Sequence, residues 1–539
     1  MDRRVLLVVM DGIGDRSDTF GNAVAYAQTP VMNELKTLGL STTLAAHGTA
    51  VGLPSDSDIG NSEVGHNALG AGRIFDQGAK LVQQAIASGS MFRDRCWADL
   101  AQYIKINHST LHLMGLLSDG NVHSHEQHLH ALIRQAKKDG IKKVRIHVLF
   151  DGRDVSEKSA EIYVDRLERV MAECRAQNFD VSVASGGGRM TITMDRYEAD
   201  WSMVERGWRT HVLGEGRAFS DLPSAVKAFR AETQTGDQYL PAFVIHEHGK
   251  PVGTIQDGDG VVFFNFRGDR AIEISRAFTE SDFKVFDRIR CPKVFFAGMM
   301  EYDGDKKIPA KYLVSPPLIK DTLGEYLVQK GKRQFACSET QKFGHVTYFW
   351  NGNRSGYLDQ SLEEYLEIPS DVVPFDQRPW MKAEEITRAT IERMQKQSFD
   401  FARINYANGD MVGHTGDFEA AVIAVATVDL MLGRLLTAAK ATNTILVVTA
   451  DHGNADEMFD AKAADFPNWE HLLRHKRPKP KTAHTLSPVP FFVFDPVGAN
   501  TYQLTNESQK TLSNVANTVL TLMGVPVRSD YLPSLVRRV

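Results

Sequence analysis

An α/β architecture in two domains, one interrupting the other, is the fold class this sequence predicts. Three observations carry it. Short apolar, β-branched runs end abruptly in Asp or in glycine-polar clusters, helix-like stretches alternate with them, and 539 residues exceed what one simple core accommodates.

The runs come in order. Residues 4–10 lead into Asp11-Gly12, 144–150 into Asp151-Gly152-Arg153-Asp154, 261–266 into Arg267-Gly268-Asp269-Arg270, and 444–450 into Asp451-His452-Gly453. Continuous apolar strands of this kind suit a parallel sheet covered on both faces. Helical patterns fill 77–87, 157–173, 382–397 and 418–441. Open α/β sheets bind ligands just beyond the carboxyl ends of their strands, where these polar clusters fall. One Asp or Gly after a strand is an ordinary terminator; four of such similar chemistry point to a site.

Two segments read as inter-domain crossings, 87–91 ("ASGSM") and the Gly-, Pro- and Lys-rich 302–317. The Asp11/Ser62 and Asp451/His452 clusters lie outside the interval between them. The expected division is therefore 1–86 with 314–539 as one domain and 87–313 inserted into it. The segment 459–481, ending in "RHKRPKPK", reads as a solvated surface insertion.

Composition bounds the function. A net charge of −5 offers no basic excess for a nucleic acid or a membrane surface, although a few local arginines suffice for a small anionic substrate. Four dispersed cysteines without a C-x-x-C pair suggest free thiols in a reducing compartment. The apolar start is broken by Asp11 and reads as a buried strand rather than a signal peptide. No stretch approaches the ~18 apolar residues of a membrane span, so a cytoplasmic protein is expected.

"VVTADHGNADE" sets Asp451 beside His452 after a strand. "NYANGDMVGHTGD" sets Asp410 and His414 four apart, on one face if that turn is helical, and "PKTAHTLSPVPFF" adds His484 before another strand. Alone, each is weak: D-x-x-x-H is frequent by chance, and a single histidine is more often a satisfied polar residue. With Asp11 they form a mixed oxygen and nitrogen set suited to divalent Mn, Co, Mg or Zn. Two such groups can hold two metals for phosphoryl displacement.

Ser62 in "DIGNSEVGHNALGAGR" lacks the second glycine of a hydrolase elbow, since Val64 stands in its place. A nearby divalent cation makes a hydroxyl easier to deprotonate and removes the need for that elbow. The competing expectation is that Ser62 caps the helix that follows; the nucleophile is preferred.

These motifs, with "LLVVMDGIG", "GLLSDGNVHSHEQHL", "FDGRDV", "FNFRGDR" and "SETQKFGHVTYFWNG", resemble the cofactor-independent (2,3-bisphosphoglycerate-independent) phosphoglycerate mutases of the alkaline phosphatase superfamily, over nearly the whole chain. The resemblance implies an alkaline-phosphatase-like sandwich domain with an inserted phosphotransferase domain, interconverting 3- and 2-phosphoglycerate without bisphosphoglycerate. It implies one metal on Asp11, Ser62, Asp451 and His452, another on Asp410, His414 and His484, and Ser62 as phosphoryl acceptor. It implies substrate contacts from His123, Arg153, Asp154, Arg189, Arg196, Arg267, Arg270 and Lys342. Asp154 would move protons at the glycerate hydroxyls and Lys342 would offset phosphoryl charge. Guanidinium forks suit both the phosphate and the carboxylate of that substrate. Domain closure at the two crossings would keep water from the phosphoserine, and the chain would work as a monomer.

Two departures from the family pattern stand out. Arg189 and Arg196 are one residue further apart, and His452 and His484 are separated by a longer stretch. The rival readings are a phosphomonoesterase or phosphopentomutase of the same superfamily, and a non-catalytic metal- or anion-binding protein.

Overall fold

The strand Val5–Met10 is apolar throughout and wholly buried, as a strand covered on both faces must be. It sits inside a seven-stranded sheet, between Phe401–Tyr406 and Ile445–Thr449 and parallel to both. The computed structural model describes residues 3–196, 198–303, 306–317, 319–466, 478–498 and 501–539. It divides into two compact units, Met1–Gln77 with Leu318–Val539, and Gly78–Pro317.

In the first unit the sheet order is Glu363–Ile368, Gln334–Glu339, Phe401–Tyr406, Val5–Met10, Ile445–Thr449, Val489–Phe494, Leu40–Leu44. The first five strands are parallel and the last two pairings antiparallel. The sheet is thus mixed, with one reversed strand, Val489–Phe494, next to one edge, a common variation on doubly wound folds. Asp11 and the Asp451-His452 pair lie just past the carboxyl ends of neighbouring strands, where such sheets place ligands.

The second unit holds a sheet in the order Phe295–Gly298, Gly260–Phe263, Leu111–Leu117, Lys143–Phe150, Asp180–Gly188, Phe243–Glu247, Arg217–Phe219. Its first five strands are parallel. Each unit has its own apolar core. The first boundary falls at Gln77/Gly78 rather than at 86/87, because Ala79 and Val82 of the helix Gly78–Ala87 are buried in the second unit's core. Segment 87–91 therefore lies within that unit.

The expectation that no stretch approaches the apolarity of a membrane span needs correction. The helix Phe418–Thr442 contains an 18-residue window of mean hydropathy 1.8. The reason is packing: Ala421, Ala424, Val425, Val428, Leu432 and Leu435 are buried in the first unit's core. Within this helix Asp429 accepts hydrogen bonds from the amides of Val31 (3.0 Å) and Met32 (2.8 Å). It thereby caps the helix Pro30–Leu38, whose Thr29 makes no side-chain cap.

Candidate active site

Ser62 is the first residue of the helix Ser62–Ala71, and Asn61, not Ser62, is its cap, accepting from the Val64 amide at 3.1 Å. The hydroxyl is thus released from capping and stands at the positive end of the helix, where negative charge is favoured. The helix approaches the neighbouring strand ends closely. A Cβ on Gly65 would lie 2.7 Å from both Cβ and O of Asp451, and one on Gly60 2.0 Å from the Ala46 carbonyl. Glycine at those two positions permits the approach.

Ser62 Oγ lies 3.2 Å from Asp11 Oδ1 and 2.9 Å from His452 Nε2, and Lys342 Nζ donates to it. Lys342, from the short helix Thr340–Gly344, also reaches Asp11 Oδ1 (2.7 Å) and Asp410 Oδ2 (2.8 Å). Burial works against its charge, but Asp11 and Asp410 overcome that and raise its pKa. Among these protein groups alone, His452 behaves likewise: burial opposes its charge, while Asp451 and the other carboxylates hold its pKa at about 9.

Asp410 and His414 sit on one helical turn, with the His414 amide bonded to the Asp410 carbonyl at 3.0 Å. His414 Nε2 and His484 Nε2 both face Asp410 Oδ1, at 3.0 and 2.9 Å, and are 3.0 Å from each other. Each Nδ1 is engaged by a backbone carbonyl, Thr482 for His414 (2.7 Å) and Gly60 for His484 (2.9 Å). Those carbonyls can only accept, which puts the protons on Nδ1 and leaves two lone pairs and a carboxylate oxygen converging on one point. Such an arrangement suits a cation. Asp451 Oδ2 is buried without a hydrogen-bond partner, 3.3 Å from His66 Nδ1. Three compact groups could each hold an ion: Asp410-His414-His484, Asp11-Asp410-His452 and Asp11-His66-Asp451.

Three residues before Lys342, burial pushes the Glu339 carboxyl up to about 7. The folded value lies above the unfolded 4.5, so its contribution to stability is fully present below about 4.5 and is lost as pH rises through about 7. Glu339→Gln is expected to be more stable than the native chain above pH ~7, by on the order of 3 kcal/mol at most, and to differ little near pH ~4.5. Denaturant midpoints of both proteins across that range check this.

The second unit gathers the other predicted residues. Asp151 Oδ1 accepts from the amides of Arg153 (3.1 Å) and Asp154 (3.0 Å) and from Arg189 Nη1 (2.8 Å), which also pairs with Asp154. His123 lies 3.9 Å from Asp154 and 3.6 Å from Asp269. Asp269 faces Arg267 (3.2 Å) and Arg196 (3.7 Å), and Arg270 donates to the Met194 carbonyl at 2.6 Å. All are buried. Arg189 thus pairs with Asp151 and Asp154, and Arg196 and Arg267 with Asp269, while Arg153 and Arg270 add further positive charge to the cluster. Burial, then the crowding of Arg196, Arg153 and Arg189, drives the Arg270 pKa well down, and an anion would relieve that strain.

A family model described as the metalloenzyme superfamily matches residues 3–527. The 2,3-bisphosphoglycerate-independent phosphoglycerate mutase of Trypanosoma brucei brucei is 50% identical over 543 residues, covering 99% of this chain and 97% of the relative. The chain belongs to the 2,3-bisphosphoglycerate-independent phosphoglycerate mutases. A probable mutase of the same kind from Leptospira interrogans is 54% identical over 538 residues, with the same coverages. A Leishmania mexicana phosphoglycerate mutase, solved at low cobalt concentration, superimposes with a TM-score of 0.96 at 48% identity, covering 100% of this chain and 98% of that one.

As a phosphoglycerate mutase the chain is a metal-dependent isomerase, and its two departures from the mutase pattern can be located in the fold. The long stretch before His484 leaves and returns at one place: Phe459 pairs with Pro480, and the Asp460 amide bonds to Lys479 O at 2.8 Å. The middle of the 459–481 insertion, 467–477, lies outside the described residues. Arg189, despite its shifted spacing, meets Asp151 and Asp154 directly.

Several neighbours in the two clusters were not singled out from sequence. Asp151 and Asp269 anchor the arginines. Asn405 Nδ2 donates to Asp11 Oδ2 at 2.7 Å, and His66 lies 2.8 Å from the Ser62 carbonyl. For His66 a signal existed: it follows Ser62 by four residues, one helical turn.

Proposed function

We propose that this chain interconverts 3-phosphoglycerate and 2-phosphoglycerate through a phosphoserine on Ser62, in the cytoplasm and as a monomer, without bisphosphoglycerate. Its two units would act as a metal-binding phosphatase-like domain and a phosphotransferase domain. The observation that carries the reading is the set around Ser62 Oγ: a hydroxyl at a helix start, within 3.2 Å of Asp11 and His452 and touched by the Lys342 ammonium.

Asp11, Ser62, Asp451 and His452 would hold one divalent ion, and Asp410, His414 and His484 a second. The oxygen and nitrogen donors suit Mn, Co or Mg, in keeping with the cobalt named for the Leishmania relative. When bound, such ions supply positive charge that makes the serine hydroxyl more acidic and offsets phosphoryl charge.

The remaining steps belong to the protein's own groups. His123, Arg153, Arg189, Arg196, Arg267 and Arg270 hold the carboxylate and phosphate of phosphoglycerate, each guanidinium offering a fork of donors. Ser62 attacks phosphorus through an Oγ that has already given its proton to solvent; the P–Oγ bond forms as the bond to the glycerate oxygen breaks, and a protonated Asp154 delivers its proton to that oxygen. Lys342 Nζ offsets charge on the phosphoryl oxygens in transit. Glycerate then reorients, its other hydroxyl returns a proton to Asp154 and attacks the phosphoserine, and the P–Oγ bond breaks.

Water reaching the phosphoserine first would make the enzyme a phosphatase, and that contrast supplies the test. With 3-phosphoglycerate, a divalent metal and no bisphosphoglycerate, 2-phosphoglycerate is expected to form far faster than free phosphate. Dominant phosphate release would overturn the mutase reading.

A further inference from the structure

His112, His147 and His211 stand apart from the arginine cluster, yet with Ser185 and Thr193 they are almost wholly buried in the second unit. They are joined end to end. Asp259 Oδ2 faces His112 Nε2 at 3.0 Å, and His112 Nδ1 faces His147 Nε2 at 2.9 Å. His147 Nδ1 then faces Ser185 Oγ at 2.7 Å, which faces His211 Nδ1 at 2.8 Å, and His211 Nε2 faces Thr193 Oγ1 at 3.0 Å.

The head of the chain fixes its direction. Asp259 also accepts from the amides of Thr110 and Gln256, each at 2.8 Å. Burial opposes its charge, but His112 and these amides hold its pKa low. An ionised carboxylate only accepts, so His112 donates from Nε2. Burial lowers the pKa of all three imidazoles, that of His211 to about 3, and keeps them neutral. Each neutral ring has one donor and one acceptor nitrogen. His112 Nδ1 therefore accepts from His147, His147 Nδ1 from the Ser185 hydroxyl, Ser185 Oγ from His211, and His211 Nε2 from the Thr193 hydroxyl. One set of tautomers satisfies all five links.

The chain ends on a residue in an unfavourable conformation. Thr193 has φ 70°, a left-handed backbone that β-branched residues rarely adopt. Its Oγ1 lies 2.2 Å from where a Cβ on Gly207 would stand, so that glycine makes room for the hydroxyl. The flanking turn carries substrate-site groups: Arg189 before it, and after it the Met194 carbonyl that orients Arg270 and then Arg196 itself.

We propose that Asp259, His112, His147, Ser185, His211 and Thr193 form a buried positioning relay. It holds Thr193 in its left-handed conformation and thereby fixes the turn from which Arg196 and Arg270 meet the anionic substrate. These are positioning residues, not catalytic ones, and the inference rests on the reading that the arginine cluster holds phosphoglycerate.

The test compares Thr193→Val, Thr193→Ser, His211→Phe, His211→Gln and Arg196→Ala in metal-replete enzyme, reading kcat, KM for 3-phosphoglycerate and melting temperature. Thr193→Val breaks the last link and His211→Phe the last two, and each is expected to raise KM about tenfold with kcat changed less than about threefold. Thr193→Ser keeps the hydroxyl and the native KM. His211→Gln, whose amide both donates and accepts, recovers most of the loss. Should His211→Phe fail to fold, the Thr193 pair decides. If Arg196→Ala leaves KM unchanged, the substrate-site reading falls and this inference with it. If Arg196→Ala raises KM while Thr193→Val changes only the melting temperature, the relay is overturned and the substrate reading stands.

Discussion

Ser62→Ala is expected to lower kcat for 3-phosphoglycerate isomerisation by at least about 10⁴-fold, since the covalent route loses its only acceptor atom. The substitution leaves the surroundings in place. Asn61 still caps the helix, Gly60 and Gly65 still admit the close approach, and alanine suits a helix start, so the melting temperature should move by only a few degrees. KM should change little, because the arginines proposed to hold phosphoglycerate are untouched. The decisive readout is covalent: labelled phosphoglycerate should leave acid-stable phosphate on the native chain and none on the variant. A variant keeping more than about a tenth of native activity would exclude Ser62 as nucleophile.

Removing divalent metal should have an effect of similar size. Among the protein groups, Asp11, Asp410 and Asp451 are buried beside His414, His452, His484 and Lys342. The single lysine balances only part of that carboxylate charge, and His414 and His484 present converging lone pairs. Exhaustive chelation is expected to cut activity to below about 1%. It should also lower the melting temperature, because an ion that binds only the folded state stabilises it by mass action. Adding back Mn, Co or Mg singly should restore both readouts, to degrees that rank the metals. Activity that survives complete removal would refute the proposed chemistry.

Much of the frame was legible in the sequence because strands and helices announce themselves locally. The helical pattern at 382–397 became Ala383–Lys396, and the run at 444–450 became Ile445–Thr449. The run at 261–266 stops as a strand at Phe263: the Phe264 amide still bonds to Met114 of the neighbouring strand, but Phe266 turns to the His123 carbonyl. The reversed strand was not visible, because Val489–Phe494 is as apolar as a parallel strand. Site residues placed just after strands were legible by position. Those that act through a partner were not: His112, His147 and His211 lie on three elements, 35 and 64 residues apart in sequence; strand pairing brings His112 to His147, and a helical turn packed on the sheet adds His211. The helix cap that Ser62 could have supplied comes instead from its neighbour Asn61.

The central place of Val5–Met10 matters for biosynthesis. This strand is translated before the rest of its sheet, and its two neighbours, Phe401–Tyr406 and Ile445–Thr449, come some 390 and 435 residues later. At about 5–20 residues per second the nascent chain waits roughly 20–80 s with an uncharged, six-residue apolar segment unpaired, of the kind that seeds aggregates. The Gly78–Pro317 unit, contiguous in sequence, has all its strands long before then. Chaperone demand should therefore fall on the amino-terminal segment, and a chain cut short before residue 401 would carry Asp11 on a strand with neither neighbour to join.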